Sequence, residues 1–347
     1  MAIGKQRAMK NKILKVVIAA SLVIIASAVA TKRIEAKSPK QNKHDRIVKF
    51  WTNARIARAI PRDFVRNPQS RSYKPIQWKN SANGVPTATT WTGGGEVSTS
   101  TGKVFFQMGK NYYVCSASVI TENAPSRSIV LTAAHCAFDE VNKAFAINWL
   151  FIPKYYEKPI GLNPDASFCK DTSFGCWTAS ALVVSNEYAN AGAFNDTAVK
   201  HDYAFGAMGP GGKSGTDDLS QIVGSHAISI TSQSDDIETW IFGYPAANRY
   251  KGNKLMFCNG PLGFDSRMMY ETYSLPCSLS AGSSGGPWFS PFASTGTSKG
   301  SGTQFSVNSY TYGGSKAMHG PKFTSETEEM YVAAKTANAN LQYSKGS

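Results

Sequence analysis

Val130-Leu131-Thr132-Ala133-Ala134-His135-Cys136 is the stretch on which the fold reading turns. An apolar, β-branched run ends in small residues that leave room around one imidazole, and a cysteine follows it directly. A histidine beside a cysteine is more often structural than chemical, so the heptapeptide has to be read with its surroundings. Upstream and downstream, similar short apolar and aromatic runs recur between turn signals. They are KVFFQM from Lys103, YYVCSASVI from Tyr112, FAINWLFI from Phe145, ALVVS from Ala181 and YAFGAM from Tyr203. AISI from Ala227, TWIFGY from Thr239, LMFC from Leu255 and TQFSVNSYTY from Thr303 continue the series. About ten short strands at this spacing predict an all-β sandwich or barrel pair, and no fixed-period repeat supports a solenoid or propeller.

Two further stretches bear chemistry. Ala281-Gly282-Ser283-Ser284-Gly285-Gly286-Pro287-Trp288 places a serine among glycines. Gly282 allows a turn that aims its own N–H and that of Ser284 at one point, where an oxyanion would sit, and Gly285 and Gly286 would give a substrate close access. The same residues satisfy G-x-S-x-G, the elbow of α/β-hydrolases, but that class runs Ser, acid, His. Here the histidine after the serine is His319, in a Gly/Pro context without alternating strands and helices. Asp202, in Lys200-His201-Asp202-Tyr203-Ala204-Phe205, stands at the mouth of an apolar strand between His135 and Ser284. Asp196, among Ala, Gly, Asn and Thr, reads as a solvated turn and is the weaker candidate for a buried acid. His201 is expected on the other face of the strand. The sequon Asn195-Asp196-Thr197 stands too near Asp202 to be a convincing glycosylation site.

In this order, VLTAAHC with Cys115 standing 21 residues before Cys136, an aspartate at a strand mouth, and GSSGGPW resemble the chymotrypsin/trypsin family of serine peptidases. The resemblance runs from about Lys103 to the end and is nearest to the secreted bacterial glutamyl endopeptidase-like branch, through FGYPAA at 242–247 and Cys258 and Cys277 ahead of the serine. It implies two packed six-stranded antiparallel β-barrels, with His135 as general base, Asp202 as its orienting acid and Ser284 as nucleophile. Gly282 and Ser284 amides would form the oxyanion hole, and Cys115 would pair with Cys136. It also implies that Ser309 and Tyr310 lie beside the substrate backbone, with Ser309 near Asp202. Ser278 stands where a trypsin carries its pocket aspartate, so Arg/Lys preference is unsupported, and no histidine occurs at 307–309 to favour glutamate. Ser283 replaces the aspartate that receives a new N-terminus in the animal enzymes, so activation by that insertion is not expected. The implied function is a serine endopeptidase acting on proteins or peptides through an acyl-enzyme, without metal or organic cofactor. The alternative is an inactive barrel pair kept as a binding or adhesion module.

Charge and cysteines place this domain. Residues 1–80 hold 19 Lys and Arg against 3 Asp and Glu, whereas the remainder carries 18 against 20. The basicity is therefore N-terminal, which argues against nucleic-acid binding by the larger part. Lys5, Arg7, Lys10, Lys12 and Lys15 precede an apolar run from Val16 to Val29, and Ala28-Val29-Ala30 fits a cleavage site. That run, about 15 residues, is shorter than the roughly 20 of a membrane-spanning helix. Residues 1–30 therefore read as a signal peptide of a secreted protein, expected to be a monomer without stable membrane association. Residues 31–102 read as a basic propeptide or arm with a Gly/Ser/Thr-rich linker at 81–102, and one helix-like stretch runs from Ile47 to Ala59. Cys115, Cys136, Cys169, Cys176, Cys258 and Cys277 suit an oxidising compartment. They allow about fifteen pairings. Joining sequence neighbours closes short loops, and without C-x-x-C spacing a zinc site is not indicated. Ser325 to Leu341, with Ser325 and Glu328 as a capping box and Met330, Ala334 and Leu341 on one face, predicts a C-terminal helix.

Overall fold

A computed structural model describes residues 38–67, 69–75, 88–122, 127–155, 164–246, 250, 252–279 and 281–345. The expected signal peptide at 1–30 and parts of the expected propeptide lie outside them.

The strands predicted around VLTAAHC close on one another. β5 (Thr101–Met108), β6 (Asn111–Ile120), β7 (Ile129–Thr132), β8 (Ile147–Pro153), β9 (Trp177–Ser185) and β10 (Ala204–Met208) form an antiparallel ring in the order β6-β5-β8-β9-β10-β7, which β6 closes by pairing with β7. Closure removes the sheet edges, and the interior is filled by residues such as Val104, Phe106, Trp149 and Phe151. The second half is built from β11 (Glu238–Gly243), β12 (Met256–Pro261), β14 (Pro287–Phe292) and β15 (Gly302–Val307) in one sheet. β13 (Thr272–Pro276), β16 (Tyr310–Tyr312) and β17 (Ala317–Pro321) form another, and Ile241, Leu275, Trp288 and Phe305 fill the space between them. Among the described residues this half is two sheets rather than one closed ladder. The predicted run TQFSVNSYTY breaks at Asn308 and Ser309, because both side chains turn to the seam between the halves.

All three sequence-neighbour disulfides are present: Cys115–Cys136, Cys169–Cys176 and Cys258–Cys277. No described helix is long and apolar enough to cross a membrane.

The N-terminal segment is more structured than its polar composition predicts. The expected helix over 47–59 is two helices, α1 (Pro39–Phe50), capped by Ser38, and α2 (Asn53–Arg58), which starts anew where the Thr52 side chain caps it. Ile47, Trp51 and Ile56 insert into a core shared with Phe105 and Leu150, and the Trp51 indole donates to the Asn148 carbonyl at 2.6 Å. The chain then adds β1 (Ile60–Pro61), parallel to β6, and β2 (Phe64–Arg66), parallel to β16 and antiparallel to β3 (Tyr73–Pro75). In the expected linker, β4 (Thr89–Thr90) pairs with β12.

Between β9 and β10 lies the short helix α3 (Asp196–Lys200), capped by the Asn195 side chain. The C-terminal helix α4 (Ser325–Thr336) begins one residue earlier than read from sequence. Its reciprocal cap joins Thr324 and Thr327, not Ser325 and Glu328, because Thr324 keeps the extended backbone a cap requires. Met330 and Ala334 are buried on β9 and β10, but Leu341 has left the helix for β18 (Leu341–Tyr343), parallel to β9.

Candidate active site

β7 and β10 run side by side, with Thr132 opposite Ala204, so His135 just after one strand meets Asp202 just before the other. His135 Nδ1 lies 2.8 Å from Asp202 Oδ2, and the His135 backbone N–H donates to Oδ1 at 2.9 Å. Both side chains are fully buried. Ser309 Oγ, from the other half of the molecule, donates to Asp202 Oδ2 at 2.5 Å. Three donors thus surround the carboxylate, which fixes the imidazole ring and favours hydrogen on Nδ1. His135 Nε2 is buried and has no hydrogen-bond partner.

The serine comes from the loop before β14. Gly282 has φ +97°, a conformation that favours glycine, and a Cβ there would lie 2.9 Å from the Tyr244 carbonyl oxygen. The reading of Gly285 and Gly286 as openings for substrate needs correction. A Cβ on Gly285 would stand 2.1 Å from Thr132 Oγ1, and one on Gly286 2.0 Å from the Phe242 carbonyl oxygen. These glycines let the loop pass closely between the two halves. Asn308 fastens it: its Nδ2 donates to the carbonyls of Phe242 and Ser283, and its Oδ1 accepts from the Trp288 indole. Ser116 Oγ, on β6, joins the halves by donating to the Gly282 carbonyl and accepting from Tyr244 N–H, both at 2.9 Å.

Ser284 Oγ donates to Asp63 Oδ1 at 2.7 Å, and the Gly282 N–H donates to Asp63 Oδ2 at 2.8 Å. Asp63 is buried, and burial pushes its carboxyl above the usual range. His135, the Ser284 hydroxyl and the backbone N–H groups of Gly282 and Ser284 pull in the opposite direction without prevailing. The two amides expected to converge on an oxyanion therefore both act on one carboxyl group. Beside it, Arg62 donates to the His135 carbonyl at 2.5 Å and pairs with Glu140 at 3.0 Å. The Phe64 ring meets the His135 ring edge-on at 5.5 Å and stacks on Phe194 at 4.0 Å.

The remaining expected residues separate. Tyr310 pairs its backbone with Phe64, and its hydroxyl donates to Asp265 at 2.7 Å. Ser278 is bonded instead to Tyr250 at 3.0 Å and to the Ala88 N–H at 3.2 Å. Asp196 pairs with Arg66 of the N-terminal segment, and His201 with Glu326 on α4, as its place on the other face predicts. Cys115 and Cys136 lie near His135 but are joined to each other, so this cluster is no metal site. Reading the motifs missed Arg62, Asp63 and Glu140. The available signal was that Asp63 is one of only three acids in the first 80 residues.

Two β halves meeting at a buried His–Asp pair and a glycine-bound serine define the chymotrypsin-like class of serine protease folds. The protease Anisep from Arthrobacter nicotinovorans is 33% identical, covers 69% of this chain and 96% of its own, and superposes with a TM-score of 0.55. The thermostable serine protease AL20 from an extremophilic microorganism is 35% identical over 70% of this chain and all of its own, with a TM-score of 0.56. A Glu endopeptidase, 18% identical over 73% of this chain and 99% of its own, shares the fold at a TM-score of 0.51. No protein-family model and no curated relative matches the chain. This chain belongs to the chymotrypsin-like serine protease family.

Proposed function

We propose that the chain is a secreted serine endopeptidase that cleaves peptide bonds through an acyl-enzyme and is made with a removable N-terminal segment within residues 31–102. The observation that carries this reading is the convergence on Asp63. The Ser284 hydroxyl and the Gly282 N–H reach the two oxygens of one carboxyl group, 2.7 and 2.8 Å away, as they would reach the carbonyl carbon and oxyanion of a bound peptide. Ser284 Oγ attacks the scissile carbonyl and passes its proton to Nε2 of His135, the nitrogen left unpartnered. Asp202 holds the opposite nitrogen and stabilises the resulting imidazolium. The tetrahedral oxygen is received by the Gly282 and Ser284 amides, His135 returns the proton to the leaving amine, and water repeats the sequence on the ester.

Secretion is supported by the three disulfides, which persist in an oxidising compartment. Labelling the protein with a fluorophosphonate and mapping the modified peptide tests the chemistry, before and after removal of the N-terminal segment within residues 31–100. Label on Ser284 that disappears in His135→Ala is expected. A folded, disulfide-intact chain that stays unlabelled in both forms would overturn the protease reading in favour of a binding module.

A further inference from the structure

Residues 62–66 meet Ser284 in a way that a substrate destined for cleavage would not. What faces Ser284 Oγ is a side-chain carboxyl oxygen of Asp63, at 2.7 Å, rather than a peptide carbonyl carbon. A carboxylate is a poor acylating group, because attack would concentrate further negative charge on it and its leaving group would be oxide or hydroxide. The same group takes the Gly282 N–H, so the nucleophile and an oxyanion donor are both engaged by a residue that cannot readily be acylated.

The flanking contacts hold it there. Arg62 is fixed by the His135 carbonyl and Glu140, and Phe64 closes over the His135 ring and stacks on Phe194. β2 hydrogen-bonds along β16, the strand edge next to Ser309. At the far end, buried Arg66 forms two parallel bonds to Asp196, Nε to Oδ1 at 3.0 Å and Nη2 to Oδ2 at 2.9 Å, and reaches the Tyr312 hydroxyl at 3.4 Å. Such a fork is a geometrically selective anchor. Burying a carboxyl group whose nearest partners are a hydroxyl and amides is costly, as its raised pKa records. The contact at Asp63 is therefore poorly explained as a device for stability alone.

Resting on the protease reading above, we propose that residues 62–66 are the enzyme's own inhibitor. Asp63 stands in the oxyanion position and Arg66 anchors the segment on Asp196. The groove they fill is a peptide-binding surface that accepts a carboxyl group at Gly282 and Ser284 and a basic side chain at Asp196.

The test uses the full-length chain and the rate of fluorophosphonate labelling on protein of intact mass, so that cleaved product is not counted. Wild-type chain is expected to react at least about 100-fold more slowly than Asp63→Ala, and Arg66→Ala to react about tenfold faster than wild type. Thermal melting and disulfide mapping show whether each variant is folded; should Asp63→Ala not fold, Asp63→Asn makes the same comparison. Intact wild-type chain that labels as fast as the Asp63 variant overturns the proposal. If the folded Asp63 variants stay silent while a chain cut within 76–88 and freed of its segment labels, the proposal falls and the protease reading stands. If that freed chain is silent as well, both fall.

Discussion

The two halves of the candidate site differ in what completes them. The carboxylate of the His135–Asp202 half is satisfied from within the barrels: Asp202 receives the imidazole, the His135 amide and the Ser309 hydroxyl, and the N-terminal segment touches this half at His135, through the Arg62 bond to its carbonyl and the Phe64 ring. The Ser284–Gly282 half is held in shape by Asn308 and Ser116, yet its hydroxyl and its amide are both spent on Asp63. The pair proposed to relay the proton is thus complete without Asp63, while the proposed nucleophile and oxyanion donor are both occupied by a residue of the segment proposed to be removable. In the His135–Asp202 pair only the side-chain atom Nε2 lacks a hydrogen-bond partner, so the desolvation of the other side-chain polar atoms is offset by hydrogen bonds.

The strongest attempt to break this comparison is Asp202→Asn in chain freed of its N-terminal segment. An amide there favours the wrong imidazole tautomer, and kcat/KM for a peptide substrate should fall by about 10⁴. A loss below about tenfold would mean that the His135–Asp202 pair is structural. Next comes Asn308→Ala, which strands the carbonyls of Phe242 and Ser283 and the Trp288 indole. Urea unfolding should show a loss of about 2–4 kcal/mol, because buried groups left unpaired lose their full solvation. An unchanged midpoint would show that the serine loop is not held by this side chain. The smallest effect is expected from Ser309→Ala, which removes one of three donors to Asp202. Here kcat should drop about tenfold with KM unchanged, the size of one charge-assisted bond. A rise in KM alone would place Ser309 in substrate binding instead.

Much of the barrel was legible because its strands are nearly all buried and rich in β-branched and aromatic residues, a local signal that survives without knowledge of partners. The disulfide pairing also followed local rules, since each bridge joins nearest neighbours in sequence. The strands PWFSPF from Pro287 and AMHGP from Ala317 were not anticipated, because proline and glycine at their ends read as turns. Gly285 and Gly286 were noticed but misassigned: a glycine needed for a backbone crossing looks in sequence like one needed for a ligand. The cap of α4 slipped by one residue for a related reason, as Thr324 and Ser325 offer the same hydroxyl and only backbone conformation separates them.

Arg62-Asp63-Phe64-Val65-Arg66 shows the limit most plainly. Its charge pattern suits an exposed arm, and nothing within five residues indicates that Asp63 is buried against a serine 221 positions away. Sequence by itself determined the β class and the identities of His135, Asp202 and Ser284 as candidates, because those rest on local composition and on dense motifs, and it favoured the neighbour pairing of the cysteines without excluding the others. Only the tertiary structure decided which donors surround Asp202, what the loop glycines are for, and that an acid of the N-terminal segment stands on Ser284. Those facts depend on close approaches between distant segments, which a single chain's local pattern does not encode.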